Sequence, residues 1–248
     1  MRSAPTSRSA APVSPPREAP GLRVGGFEPF STLDFPGRLA AVVFCQGCPL
    51  ACGYCHNPDL IPATAERLID FDSVLARLEA RRDFLEAVVF SGGEPLAQAA
   101  LAPAIEAVKA RGFAVALHTA VTAPALLDRV LAHVDWVGFD VKAPFDRYDP
   151  VTGVAKAGPK ARASLERLAA SGVPFEARTT VWPVALDADD IRAIAFALQQ
   201  LGVRRYVLQE TRTADRRPWP GGSAIDDAAL LDEVGAMFDE FEVRRAES

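Results

Sequence analysis

Four cysteines lie close together in the first quarter of the chain and are candidate metal ligands. They occupy positions 45, 48, 52 and 55 in the sequence CQGCPLACGYC, and no other position holds a cysteine. A structural disulfide is disfavoured, because bridges between residues this close in sequence would close very small loops and restrict the unfolded chain little. The clustering therefore predicts a metal site.

Two kinds of metal site are compatible with this spacing. All four thiolates together could bind zinc, although zinc knuckles place their two cysteine pairs on separate turns, with a longer spacer than the three residues found here. Alternatively, Cys48, Cys52 and Cys55 could bind a four-iron cluster and leave one iron without a protein ligand, as a catalytic metal requires. Cys45 ends the apolar run Ala40–Phe44, and we expect it to be a small buried side chain rather than a ligand.

The elements that position this loop follow a regular alternation of strands and helices, which indicates a parallel sheet with crossover helices. The predicted strands are Leu39–Phe44, Ala87–Ser91, Phe113–His118, Trp136–Lys142, Phe175–Val181 and Arg205–Gln209. The predicted helices lie near Asp72–Phe84, Ala100–Arg111, Pro124–Ala132, Ala161–Ser171 and Asp187–Leu201. Six βα units are too few for a closed eight-stranded barrel, so we expect an α/β fold with an open, partial (β/α)6 barrel.

Functional residues of such a fold lie at the carboxyl ends of its strands. We therefore expect the polar segments that follow the predicted strands to converge, although they are distant in sequence. These segments are Cys45–Cys55, Ser91–Glu94, His118–Thr119, Asp140–Lys142, Thr179–Thr180 and Gln209.

The two ends of the chain are predicted separately. Residues 1–22 are rich in proline, serine, alanine and arginine, and we expect a disordered tail because they cannot bury enough apolar surface. Residues 23–248 are predicted to form one domain, which ends in a loop (Arg216–Gly222) and a closing helix (Ile225–Phe238).

Composition excludes several partner classes. The net charge of −5 and the pI of about 5.3 provide no basic surface for nucleic acid. No apolar stretch approaches the roughly 20 residues that cross a bilayer, and the start of the chain lacks the apolar region of a secretory signal. We therefore expect a cytoplasmic protein that binds neither membrane nor nucleic acid.

The motifs of this chain resemble those of the radical S-adenosylmethionine (SAM) superfamily. Its signature of three cysteines with an aromatic residue before the last one is similar to Cys48-x3-Cys52-x2-Cys55 with Tyr54. Within that superfamily, the chain resembles the glycyl-radical enzyme activases, and in particular the anaerobic ribonucleoside-triphosphate reductase activating protein family. The resemblance covers roughly residues 24–212 and includes the segments Ser31–Leu60, Phe90–Leu96, Val137–Pro144, Tyr148–Val154, Arg178–Pro183 and Arg205–Gln209.

This resemblance implies a function and a set of cofactors. One 4Fe-4S cluster would be held by Cys48, Cys52 and Cys55, which are the metal-binding and catalytic residues of the prediction. Flavodoxin or ferredoxin would reduce the cluster. Cleavage of SAM would give a 5′-deoxyadenosyl radical, which would remove a hydrogen atom from a glycine Cα of a partner enzyme, as expected for an anaerobic ribonucleotide reductase.

The resemblance also implies which residues bind SAM. Glu94 in the run Ser91-Gly92-Gly93-Glu94 would accept a hydrogen bond from the SAM ammonium, and the glycines would allow a close backbone approach. By itself, Gly-Gly-Glu is a common tight turn. Asp140 and Lys142 share one face of their strand, and the resemblance places them beside the ribose and the carboxylate; the alternative is a purely structural ion pair. The further SAM-binding residues predicted are Tyr54, Thr119, Arg178 and Gln209.

One position departs from the family pattern. The related families usually carry aspartate where this chain has His118, so the ribose or cation contacts of that position do not transfer to it. Ala114 and Ala116 share a face with His118 and are small enough to leave a cavity beneath it.

Two other functions remain compatible with the sequence. The first is a small-molecule radical SAM enzyme of the 7-carboxy-7-deazaguanine synthase type. The second is a non-catalytic zinc or iron–sulfur module, which would use Cys45 as a fourth ligand and would not respond to SAM. The sequence does not identify the partner or the oligomeric state.

Overall fold

The computed structural model describes residues 21–120, 123–213, 217, 219–220 and 222–245. Most of the predicted tail, residues 1–20, lies outside the described residues, and Leu22 at its end is buried in the main core. Three positions of the predicted loop Arg216–Gly222, namely 216, 218 and 221, also lie outside them.

The described part of the chain contains one eight-stranded sheet, in which the spatial order of the strands follows their order in sequence. The strands are β1 (Val24–Ser31), β2 (Ala40–Cys45), β3 (Ala87–Gly92), β4 (Ala114–Thr119), β5 (Trp136–Asp140), β6 (Phe175–Val181), β7 (Arg205–Glu210) and β8 (Glu240–Arg244). β1 is antiparallel to β2, and every later pair is parallel. The predicted partial α/β barrel is confirmed, and its six strands are β2 to β7.

Seven α-helices occur among the described residues. They are α1 (Phe71–Glu79), α2 (Leu101–Lys109), α3 (Pro124–Leu131), α4 (Tyr148–Thr152), α5 (Ala157–Ser171), α6 (Ala188–Gln200) and α7 (Ala228–Gly235). Five correspond to the predicted crossover helices, although α1 ends before the predicted Phe84. None of these helices is long and apolar enough to span a bilayer.

The two edge strands and the end of the chain differ from the prediction. β1 (VGGFEPFS) contains two glycines and a proline, which are uncommon in strands and hide its pattern. The predicted helix Ile225–Phe238 is wrong in extent, because it is divided into a short 3-10 turn and α7. The chain then continues into β8 (EFEVR), a short strand with charged residues at alternate positions.

The main hydrophobic core lies between the sheet and the helices. Alternate strand residues such as Ala41, Val43, Val88 and Val115 pack there against the apolar faces of the helices. The opposite, inner face of the partial barrel carries a second, smaller cluster. This cluster consists of Phe35, Ala40, Val42, Ala87, Val89, Ala116 and Trp136.

The second cluster corrects one expectation. The small residues Ala114 and Ala116 do make room on the inner face below His118, but the space is filled by Phe35. This ring is 5% exposed and comes from the segment between β1 and β2. The predicted cavity is therefore wrong, because a side chain from outside the strands was not considered.

The inner face of β6, β7 and β8 is ionic rather than apolar. Glu176, only 1% exposed, accepts hydrogen bonds from Arg205 (2.9 Å) and from Arg244 (2.8 and 3.1 Å). Glu242 bonds both of these arginines as well (3.0 Å in each case). Because a buried carboxylate is costly unless it is paired, this network fixes the lateral packing of the last three strands.

The first turn of helix α6 is capped by aspartate side chains, and the contribution of this cap to stability can be tested. Asp187 accepts a hydrogen bond from the Asp190 backbone N–H (3.0 Å), and the Asp190 carboxylate accepts one from the Asp187 N–H (3.2 Å). We expect Asp187→Ala to lower the free energy of unfolding by about 1 kcal/mol, because the helix loses this cap. Urea unfolding of the metal-free protein measures the change. The control Asp83→Ala, in the exposed turn after α1, should stay within about 0.5 kcal/mol; equal effects of the two variants would contradict the role of the cap.

Candidate active site

The cysteine loop begins where β2 ends, at the carboxyl edge of the parallel strands. Cys45, the last residue of β2, is fully buried in the main core, as predicted for a side chain that is not a ligand. Cys48, Cys52 and Cys55 lie on the loop beyond it, are half-buried, and form no disulfide. Burial raises the pKa of the Cys48 thiol to about 12 and also raises the pKa of Cys52.

Two buried glutamine side chains hold the start of this loop. The Gln46 amide donates hydrogen bonds to the carbonyls of Asp59 (2.9 Å) and Pro62 (2.7 Å), so both ends of the loop are joined. The Gln98 amide donates to the carbonyls of Gln46 (3.1 Å) and Arg23 (3.0 Å). Neither glutamine was predicted as a site residue. The position of Gln46 directly after a buried strand could have indicated its role, whereas nothing in the sequence indicated that Gln98 holds the loop.

The far side of the loop rests on α4. The backbone N–H of Ala51 donates to Thr152 O (2.8 Å), and that of Gly53 donates to Val151 O (3.4 Å). The hydroxyl of Tyr148 accepts a hydrogen bond from the Lys142 N–H (3.0 Å). The short helix α4, which the sequence analysis did not predict, therefore links the cysteine loop to the end of β5.

Gly92, the last residue of β3, and Gly93 pack directly against the end of β2 and the start of the cysteine loop. Gly92 has φ +111°, and a Cβ there would lie 2.4 Å from the Cys45 backbone nitrogen. A Cβ on Gly93 would lie 2.5 Å from Gly47 O. The N–H groups of Gly93 and Glu94 donate to Cys45 O and Gly47 O (2.9 Å each). The backbone that these glycines approach closely in this structure is that of the cysteine loop itself.

Glu94 is 2% exposed and is bonded within the protein. Its carboxylate accepts hydrogen bonds from the Thr119 hydroxyl (2.6 Å) and from the N–H groups of Leu96 (3.0 Å) and Ala120 (2.9 Å). Burial raises the pKa of Glu94 despite these bonds. Because a carboxylate offers about four acceptor positions, one position is left, and the Glu94–Thr119 pair forms one wall of the site.

Asp140 bonds two cations at the end of β5. Its carboxylate accepts hydrogen bonds from Lys142 Nζ (3.1 Å) and Arg178 Nε (2.9 Å). A Cβ on Gly138 would lie 2.6 Å from Arg178 Cζ, so this glycine makes room for the guanidinium. Burial opposes ionisation of Asp140, but Arg178 and Lys142 outweigh it and hold the pKa of Asp140 well below its usual value.

Lys142 connects this ion pair to the cysteine loop. Its ammonium lies 5.6 Å from the centre of the Tyr54 ring. Burial opposes its charge, but Asp140, Tyr54 and Cys52 raise the pKa of Lys142 well above its usual value. The structural ion pair that was the alternative for Asp140 and Lys142 is therefore present, and it faces the cysteines.

Two buried polar atoms beside the loop have no hydrogen-bond partner among the described residues. They are Tyr54 Oη and Trp182 Nε1. The two rings are 5.8 Å apart, and the Trp182 ring packs so closely on Gly53 that a Cβ there would lie 2.4 Å from it. Leaving a buried polar group without a partner costs about 1–3 kcal/mol, so these atoms fit a site that a ligand completes.

The other predicted residues lie at the same edge of the sheet. Ser91, near the end of β3, is paired with Phe44 of β2. Gln209, near the end of β7, lies between Thr180 and Arg244 in register. His118, at the position where the sequence departs from the family pattern, faces the β1–β2 segment, and its Nε2 lies 2.8 Å from Asp34 O.

A family model described as the radical SAM superfamily matches residues 42–207, more than half of the chain. The chain belongs to the radical SAM superfamily. This family implies a 4Fe-4S cluster and SAM as cofactors, and its partial barrel is the fold described above.

Several curated radical SAM relatives activate glycyl-radical enzymes by name. A protein of Methanocaldococcus jannaschii named as a glycyl-radical enzyme activating enzyme is 29% identical over 199 residues, which cover 77% of this chain and 81% of that protein. The pyruvate formate-lyase-activating enzyme of Clostridium pasteurianum is 30% identical over 186 residues, covering 72% and 77%. The 7-carboxy-7-deazaguanine synthase of Methanopyrus kandleri is 34% identical over 152 residues, covering 52% and 60%.

Solved structures share the radical SAM fold at low identity. SuiB of Streptococcus suis, bound to its precursor peptide SuiA, superposes with a TM-score of 0.65 at 13% identity, over 86% of this chain and 49% of SuiB. The chain thus corresponds to about half of SuiB. QueE of Escherichia coli superposes with a TM-score of 0.52 at 18% identity, over 90% of this chain and 93% of QueE.

The donor set of the cysteine loop fits the four-iron cluster that the family implies. A four-iron cluster binds each thiolate on a different iron, so its ligands need not converge on one point. In the part of the chain that the structure describes, which includes all four cysteines, no three His, Cys, Asp or Glu side chains converge to hold one metal ion. The donor set Cys48, Cys52 and Cys55 suits the cluster, and the Lys142 charge partly offsets the burial that raises the pKa of Cys48 and Cys52.

His118 allows a test of the electrostatics beside this site. Burial lowers the pKa of His118 to about 3, and the Arg178 charge contributes. Because the unfolded chain binds a proton below about pH 6.5 while the folded protein does not, stability should fall as the pH falls through that value. When the pH is lowered from 7.5 to 5.5, we expect the free energy of unfolding of the metal-free protein to fall by about 1.4 kcal/mol more than that of the variant His118→Gln. Urea unfolding at both pH values measures this difference, and parallel pH profiles of the two proteins would contradict it.

Proposed function

We propose that this chain is a glycyl-radical enzyme activating enzyme whose partner is an anaerobic ribonucleoside-triphosphate reductase. One observation of the inner face carries the proposal. Each arginine on the inner face of β6 to β8 is paired with a carboxylate: Arg178 with Asp140, and Arg205 and Arg244 with Glu176. A substrate that carries its own carboxylate would have to compete with these carboxylates for the arginines, whereas the backbone of a glycine residue would not. The named relatives support the same activity.

The chain's own residues have distinct tasks in this reaction. Cys48, Cys52 and Cys55 hold the cluster. Lys142 binds the SAM carboxylate, and Glu94 binds the ammonium through its remaining acceptor position. When bound, the cofactors would supply the one-electron reductive cleavage of SAM to methionine and 5′-deoxyadenosine, in which the added hydrogen atom comes from the glycine Cα and a glycyl radical is left.

The remaining SAM-binding residues are proposed to complete the site around this cofactor. Asp140 faces the ribose, held in place by its bond to Arg178. Tyr54 lies beside the adenosine, where its unpartnered hydroxyl finds a polar neighbour. Further contacts come from the residues at the strand ends: Ser91, Gly92, Gly93, Thr119 and Gln209. Exclusion of water from this group protects the reactive species.

The proposal includes an electron donor and a compartment. Flavodoxin or ferredoxin supplies the electron, since no cysteines remain to hold a second cluster. We place the enzyme in the cytoplasm, because the four cysteines are free thiols and a reducing compartment maintains them. The acidic pI of about 5.3 supports a protein partner rather than nucleic acid.

The direct test is anaerobic. The reconstituted holoenzyme is mixed with SAM, reduced flavodoxin and the anaerobic ribonucleotide reductase encoded in the same genome, and the electron paramagnetic resonance spectrum of the reductase is recorded. The proposal predicts a glycyl-radical doublet and one 5′-deoxyadenosine per radical. Production of 5′-deoxyadenosine without a radical on the reductase would reject this partner, and absence of both would reject the activity.

A second candidate function is a 7-carboxy-7-deazaguanine synthase. The Methanopyrus kandleri relative, which is named as such a synthase, favours it. Turnover of a pterin-type substrate by the purified holoenzyme, with no protein partner present, would establish this function. The paired arginines predict that no such turnover occurs.

The cysteines provide a matched set of variants. We expect Cys48→Ala, Cys52→Ala and Cys55→Ala each to lose most of the reconstituted iron and sulfide and to reduce 5′-deoxyadenosine formation to background, since each removes a cluster ligand. Cys45→Ala should keep its iron and sulfide and should still form 5′-deoxyadenosine, because Cys45 is buried in the main core. Iron and sulfide analysis measures the effect. Loss of iron from Cys45→Ala would instead indicate a four-cysteine module.

A further inference from the structure

The turn between Cys52 and Cys55 packs against a tryptophan from another strand end. Gly53 lies in this turn, and Trp182 directly follows β6. A Cβ on Gly53 would lie 3.0 Å from both Cζ2 and Cζ3 of the indole and still closer to its Cη2. All three atoms belong to the six-membered ring, so the outer edge of the indole lies directly against the backbone of the turn.

The sign of φ does not explain why this position holds a glycine. Gly53 does not have a positive φ, whereas Gly47 in the same loop has φ +100°. A side chain at position 53 would therefore not be strained by a left-handed backbone. The three atoms nearest to its Cβ would all belong to Trp182. The glycine is thus required by the neighbouring ring, because no side chain fits between the indole and the turn.

The indole is itself held in place. Its ring centre lies 5.8 Å from that of Tyr54 and 6.4 Å from that of Trp219, which meets it edge-on. The Trp182 carbonyl accepts hydrogen bonds from the N–H groups of Ala185 (3.0 Å) and Leu186 (2.9 Å), which fix the backbone that carries the ring. Because the ring has packed neighbours and an anchored backbone, it cannot move aside freely.

The cysteine turn also has contacts with α4. The backbone N–H groups of Ala51 and Gly53 donate to carbonyl oxygens of that helix (2.8 and 3.4 Å). One hydrogen bond within the turn, from the Cys55 N–H to Cys52 O (3.0 Å), joins the two cysteines. The turn therefore has two external supports, α4 and the indole. Together they determine where Cys52 and Cys55 lie relative to Cys48.

We propose that Trp182 is a positioning residue for the cluster: its ring sets the place of the Cys52–Cys55 turn and thereby of two of the three cluster ligands. This inference rests on the cluster ligands of the proposed function but not on the identity of the partner enzyme. Replacing a residue that holds metal ligands in place typically lowers metal affinity by about 10–100-fold. We therefore expect the contact between Gly53 and Trp182 to control how firmly the cluster is held.

The test measures iron release rather than activity. Each holoenzyme is reconstituted anaerobically and kept oxidised without SAM, and the transfer of its iron to a chelator is followed over time. Urea unfolding of the metal-free protein shows whether each variant folds. The variants are Gly53→Ala, Trp182→Phe, the double variant Gly53→Ala/Trp182→Phe, and Trp182→Ala. The control is Gly222→Ala, an exposed position where a Cβ would meet nothing within 4 Å.

We expect Gly53→Ala to release iron roughly 10–100-fold faster than the wild type, because its Cβ and the indole cannot occupy the same space. Phenylalanine lacks the outer edge of the indole and leaves room for that Cβ. The double variant should therefore release iron at least about 5-fold more slowly than Gly53→Ala alone. Trp182→Ala should release iron about 10-fold faster than the wild type, because the turn loses a support. Gly222→Ala should stay within about 2-fold of the wild type.

Three results would overturn the proposal and leave the proposed function standing. In the first, Gly53→Ala holds its iron as firmly as the wild type. In the second, the double variant releases iron as fast as Gly53→Ala, so that the contact with the ring is not the cause. In the third, Trp182→Ala folds and holds its iron as firmly as the wild type. A wild-type protein that binds no cluster would instead reject the proposed function together with this inference.

Discussion

The contact between two backbone segments is the constraint on which the site depends: Gly92 and Gly93 at the end of β3 lie against the end of β2 and the start of the cysteine loop. Gly92 and Gly93 approach Cys45 and Gly47 so closely that no Cβ fits at either glycine. The same contact places the N–H groups of Gly93 and Glu94 on the carbonyls of that loop. The position of the cysteines and the position of the Glu94 carboxylate are thus determined together rather than by two independent loops.

The inner face of the barrel shows how the remaining strands contribute. On β2 to β5 it is apolar and filled by Phe35 and Trp136, while on β6 to β8 it is a closed set of ion pairs around Glu176. The apolar half is filled by protein side chains, and the charges of the ionic half are paired with one another. Neither half therefore requires a ligand for its stability. Among the described residues, buried polar atoms without partners occur at Tyr54 and Trp182, beside the cysteine loop, and also at Arg23, Arg111 and Ser164. The first two lie where the cofactors of the family would bind.

Much of this arrangement could be predicted from the sequence, for identifiable reasons. The central strands are continuous apolar runs, because both of their faces are covered, and each is followed by polar residues at the edge where parallel strands end. The edge strands were missed, because β1 carries glycines and a proline and β8 carries charges on its inner face. Gln98 and Phe35 were missed for another reason. Their partners, Arg23 and Gln46 for the first and Trp136 for the second, are distant in sequence, and local patterns contain no information about such contacts.

The charges of the site explain why a histidine is tolerated at position 118. In the described structure, Asp140 is already balanced by Lys142 and Arg178, and Arg244 adds a further positive charge that His118 senses. A protonated imidazole would place another cation in this buried space, so the ring remains neutral. As a neutral donor, it can bond the Asp34 carbonyl and hold the segment that carries Phe35. An aspartate at this position could not donate that bond when ionised. The histidine at this position thus ties β4 to the β1–β2 segment.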